Sequence, residues 1–113
     1  MTLITHEYGT TKSPKFLVIL LHGYGANGEN LIELANEFQP IIPDAYFIAP
    51  NAIEPWEGGF PNSYQWFSLY AGSQRSALDS LAPKIKNANN ACSNKIVNQY
   101  AITGPIKVKG ILT

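Results

Sequence analysis

The chain has 113 residues, 45% of them apolar and 14% charged, which bounds it to one globular domain and excludes an intrinsically disordered chain. Eight basic and eight acidic residues cancel, with a pI near 6.7, so no net field attracts nucleic acid or an anionic membrane surface. The longest apolar run, Phe16 to Leu21, falls far short of the roughly 18 to 20 residues that span a bilayer.

Leu3 to Tyr8 reads as a short edge strand, and "GTTKSP" as the turn that follows it. The N-terminus "MTLITHEYGTTK" has no basic start ahead of an apolar core, so no secretory signal is read and the cytoplasm is the expected compartment. Lys15 to Leu21, "KFLVILL", is continuously apolar with a β-branched centre, as in a strand covered on both faces of a parallel sheet. The glycine-rich stretch "HGYGANG" follows. Leu31, Ile32, Leu34, Ala35 and Phe38 then recur at helical spacing, with Asn30 as N-cap, Glu33 completing a box-like pattern and Pro40 as the stop.

"AYFIAP", residues 45 to 50, is a second apolar strand and completes a βαβ unit. Such a crossover is right-handed, so the two strands run parallel and their C-terminal ends, His22-Gly23 and Pro50-Asn51, open onto one edge, where ligands of open α/β sheets bind. Residues 51 to 69, broken by prolines and glycines yet rich in aromatic rings, read as an ordered loop over that edge. Ala77, Leu78, Leu81, Ala82 and Ile85 predict an amphipathic helix from Ser73 to about Asn87, capped by Ser73 or Ser76, with Pro83 working against it. Beyond Asn87 the chain is Asn-rich without a sustained helical period, and Tyr100 to Thr103 and Ile106 to Leu112 are weak strand candidates. The expected organisation is an α/β body over 1–87 and a divergent tail over 88–113. Cys92 has no partner for an internal disulfide and reads as a small side chain without special role. Cys92, His6 and His22 hold no metal-ligand spacing, so no metal or other cofactor is expected.

Gly23, Gly25 and Gly28 spell G-x-G-x-x-G between strand and helix, the wording of a dinucleotide fingerprint. That site needs an acidic residue at the C-terminal end of the second strand, and Asp44 instead precedes the strand. Two other readings remain for the loop. It can be a plain strand-to-helix turn, or it can present backbone amides to the oxyanion of an acyl-transfer transition state, where one donor is worth roughly 3 to 4 kcal/mol.

"LVILLHGYGANGENLIELA", then "FIAPNAIEP", then "QWFSL", in this order and spacing, resemble the N-terminal half of the phospholipase/carboxylesterase family of α/β-hydrolases, which includes acyl-protein thioesterases. The resemblance covers about residues 14 to 87. It implies a partial α/β-hydrolase fold, mostly parallel with flanking helices, that stops before the nucleophile elbow. It implies an oxyanion loop at His22, Gly23, Tyr24 and Gly25, with the Tyr24 N–H as donor where the family usually has leucine. It implies that Pro50-Asn51-Ala52 is the family's Pro-Asn-Ala block, and that Trp66 and Phe67 stand near the acyl pocket; for these two rings, simple core packing is the competing reading. Ser68 replaces a frequent aspartate.

The family places its serine in G-x-S-x-G on a strand-to-helix turn, followed by an aspartate and then a histidine. The 113 residues contain no G-x-S-x-G. In "AGSQRS" Ser73 follows Gly72 directly and Arg75 takes the place of the closing glycine; His6, His22, Asp44 and Asp79 match no triad position. The expectation is a remnant of a serine carboxylesterase or acyl thioesterase, inactive alone, whose partners are an ester or thioester small molecule and a complementary chain or a second copy of itself. A noncatalytic binding module and a nucleotide-binding βαβ unit are the alternatives.

Overall fold

A computed structural model describes residues 3–9, 14–69, 74–99 and 107–112. Strands β1 (Thr5–Tyr8), β2 (Phe16–Leu21), β3 (Ala45–Pro50) and β6 (Lys107–Leu112) form one sheet in the order β1-β3-β2-β6. β2 runs parallel to β3, with Phe16 opposite Ala45 and Ile19 opposite Ile48, and parallel to β6, with Phe16 opposite Lys107 and Leu21 opposite Leu112. β1 pairs antiparallel with β3, Thr5 opposite Pro50. The expected edge strand and parallel βαβ pair are therefore present.

β2 and β3 read as unbroken apolar runs because both of their faces are covered. On one face Leu17, Ile19, Leu21, Tyr46 and Ile48 pack against Ala88, Cys92 and Ile96 of a long helix, α3 (Gln74–Gln99). On the other face Val18, Leu20, Phe47 and Ala49 meet Ala35, with Leu31, Ile32, Phe38 and Ile42 around them. The connection that covers this second face is not one continuous helix. It is α1 (Gly28–Leu31), a 3-10 turn over Ile32–Leu34, and α2 (Ala35–Phe38), ending just before Pro40.

Three expectations need correction. The cap of the first helical turn is Asn27, whose side-chain oxygen accepts the Asn30 N–H at 2.8 Å, so Asn30 lies inside the helix it was expected to begin. The second helix does not end near Asn87: it runs through Pro83, which is exposed, and on to Gln99, with Ser76 inside it. Ile85, Ala88, Cys92 and Ile96 form the stripe that docks it on the sheet, and this burial outweighs the one backbone bond that Pro83 removes. β2 is flanked by β3 on one side and β6 on the other. Within 51–69 two short strands, β4 (Glu54–Pro55) and β5 (Tyr64–Gln65), pair antiparallel. Ser73 and the strand expected over 100–103 lie outside the described residues.

Candidate active site

The C-terminal ends of β2 and β3 are tied by side chains rather than by strand pairing. His22, 1% exposed, follows β2, and its Nε2 accepts the Ala52 N–H at 2.9 Å. Nε2 therefore carries no proton, and Nδ1–H donates to the Gly23 carbonyl at 2.7 Å, which defines a neutral imidazole with the proton on Nδ1. Burial lowers the His22 pKa below its ordinary 6.5, against the smaller raising effect of the Gly23 hydrogen bond. Trp66, 5% exposed, stacks on His22 with ring centroids 5.3 Å apart and donates its indole N–H to the His22 carbonyl at 2.9 Å. His22 thus joins the three sequence blocks, and both of its nitrogens are engaged in that role.

A second tie lies beside it. The Gly28 N–H donates to Asn51 Oδ1 at 2.7 Å, and a Cβ on Gly28 would stand 2.3 Å from the Ala49 carbonyl oxygen. The last glycine of the loop is required by the close approach of α1 to β3. With the Gly28 N–H bonded to Asn51 and the Asn30 N–H bonded to Asn27, these two amides of a four-residue helix are already engaged within the fold.

Between these ties, residues 23 to 27 fold over the edge. Gly25 has φ +76° and donates to the Tyr64 carbonyl at 2.9 Å, while the Tyr64 N–H returns to the Ala26 carbonyl at 2.9 Å. The Gly25 amide is accordingly committed to Tyr64. Tyr24 is 37% exposed; its ring meets Trp56 edge-on at 5.9 Å and its hydroxyl donates to Glu57. Asn27 Nδ2 donates to the Asn62 carbonyl at 2.8 Å, fixing the far end of the loop.

The aromatic segment is anchored by polar contacts. Gln65 accepts the Glu57 N–H at 3.0 Å and donates to Glu54 at 3.1 Å, and Glu54 pairs with Lys84 of α3 at 3.1 Å. Trp66 belongs to the core, and Phe67 packs half-buried against it. The Trp66 ring packs against His22 and the core. The Glu57 carboxylate accepts from Tyr24, from the Ser68 hydroxyl and from the Leu69 N–H at 3.0 Å. Desolvation raises its pKa, but the hydrogen bonds from Ser68, Tyr24, Leu69 and Gln65 outweigh that and hold it below its ordinary value. Sequence reasoning missed Glu57 and the clasp of His22 on Ala52, because neither contact has a signature in spacing. Cys92 lies in the core beneath, 1% exposed, with burial pushing its thiol up to about 12. Among the described residues, no group of three His, Cys, Asp or Glu side chains is placed to hold a metal, and no helix is long and apolar enough to cross a membrane.

A mainly parallel sheet covered by helices on both faces, with a glycine loop clasped at its C-terminal edge, defines this chain as an α/β-hydrolase fold, and it superposes on the crystal structure of esterase PE8 with a TM-score of 0.78. That alignment has 28% sequence identity and covers 99% of this chain and 52% of the other. The phospholipase/carboxylesterase family profile matches residues 9–112, and the chain belongs to that family. Over 85 residues it is 31% identical to Esterase YpfH of Escherichia coli (strain K12), which covers 69% of this chain and 36% of that protein. The chain therefore spans about a third of one relative and about half of the other.

Proposed function

We propose that this chain is the oxyanion-loop portion of a serine hydrolase acting on carboxylic esters or thioesters, with the backbone N–H of Tyr24 as an oxyanion donor and Phe67 bordering the acyl site. The observation that carries this reading is the double tie, His22 to Ala52 and Asn51 to Gly28, which holds residues 23 to 27 at the C-terminal edge of β2 and β3. Fixed donors in a water-poor site are what acyl transfer requires. No G-x-S-x-G serine occurs in the 113 residues, and both nitrogens of His22 are engaged in the fold, so the chain alone is inactive. Its balanced charge supplies no net field to attract nucleic acid.

A second reading, one half of a split hydrolase, is favoured by β6. This strand runs parallel to β2 with Leu112 opposite Leu21, so its C-terminal end lies at the edge that carries His22. A serine on a turn supplied next to that end would face the loop.

The test is complementation. The chain is mixed with the portion of Esterase YpfH outside the 85 matched residues, and hydrolysis of short p-nitrophenyl esters is followed. Activity appears only in the mixture and falls about 10²- to 10³-fold with Tyr24→Pro, which deletes the amide hydrogen. No activity in the mixture, or activity indifferent to Tyr24→Pro, overturns the proposal.

A further inference from the structure

We propose that Glu57 is the positioning residue of the 23–27 loop, its carboxylate locking the Tyr24 side chain to the Ser68-Leu69 end of the aromatic segment. The catalytic meaning of this lock rests on the reading of the loop as an oxyanion donor. An exposed carboxylate ordinarily gains little from any one partner, because water competes for it. Glu57 instead gathers three donors from two separate segments: the Tyr24 hydroxyl and the Leu69 N–H on one oxygen, and the Ser68 hydroxyl on the other. Its own backbone is held as well, since its N–H donates to Gln65, which is buried beside Trp66.

Tyr24 stands where the resemblance leads one to expect leucine, and a leucine has no hydroxyl to offer. In this chain the side chain is gripped twice, by the Trp56 ring along its edge and by Glu57 at its tip. The next amide, Gly25, is bonded to Tyr64. The peptide that carries the Tyr24 N–H is therefore oriented both through its side chain and through its neighbour, which is the preorganisation a charge-stabilising donor needs.

Amide hydrogen exchange on the full 15N-labelled chain tests the lock without any turnover. Glu57→Ala and Tyr24→Phe each accelerate exchange at Gly25 by about tenfold, and the double variant accelerates it no further, because both remove the same contact. Exchange at Ile19, in the middle of β2, stays at the wild-type rate, and Glu57→Gln, which keeps an acceptor oxygen, recovers part of the protection at Gly25. Unchanged exchange at Gly25, additive acceleration in the double variant, or equal acceleration at Ile19 overturns the proposal. Failure of the oxyanion reading is registered separately, in the complementation assay.

Discussion

The Nε2 atom of His22 accepts the backbone N–H of Ala52 at 2.9 Å, and this bond closes the gap between the ends of two parallel strands. Removing the imidazole leaves a buried N–H without a partner and a void beside Trp66. His22→Ala therefore costs about 2 to 4 kcal/mol, read from the urea unfolding curve.

The same bond requires a neutral ring. The folded state holds the His22 pKa below its ordinary 6.5, so the unfolded chain binds the proton more readily. The contribution is complete above pH 6.5 and is lost as pH falls from there through the lower folded value. Thermal midpoints measured from pH 7.5 down to 5 fall in the wild type, and this component of the fall is absent in His22→Gln, which keeps an acceptor without a titrating ring.

Gly28→Ala is a helix-favouring exchange by intrinsic propensity, worth roughly 1 kcal/mol. Here the new Cβ meets the Ala49 carbonyl oxygen at 2.3 Å, and backbone cannot yield as a flexible side chain does. The variant is destabilised by about 2 kcal/mol or more, and its urea midpoint moves down rather than up.

The βαβ unit is legible because its strands are apolar on both faces and its glycines and prolines fall between elements or at their ends. The cap was misread because Asn27 and Asn30 stand three apart, and local chemistry suits either; what selects Asn27 is the Gly28–Asn51 bond and the contact of α1 with Ala49, both tertiary. The second half of α3 was missed because Ile85, Ala88, Cys92 and Ile96 form a helical stripe diluted by asparagines, two of its members being small. The 23–27 loop is marked in the sequence by a family resemblance, whereas the ties that hold it, through His22, Asn51 and Glu57, join residues 23 to 33 positions apart and leave no periodic trace.

Cys92 reports on that second half of α3. Its thiol is 1% exposed and pushed up to about 12, so the reactive thiolate is both scarce and shielded. Ellman's reagent at pH 8 labels it more than about a hundredfold more slowly in the folded chain than in 6 M urea. Equal rates would mean that the helix past Asn87 does not pack on the sheet.

Among the described residues β6 pairs with β2 alone, which leaves its other edge without a strand partner. Such an edge favours pairing with another chain. Light scattering after size exclusion is expected to give oligomers or concentration-dependent association, and a monodisperse monomer with a cooperative melt would count against it.

This chain is proposed to carry the charge-stabilising loop of an esterase, and its 113 residues hold no G-x-S-x-G serine. A fluorophosphonate probe reads that directly, because it bonds covalently only to an activated serine. No labelling of the purified chain is expected by intact-mass spectrometry after prolonged incubation. Stoichiometric labelling at any serine would contradict it.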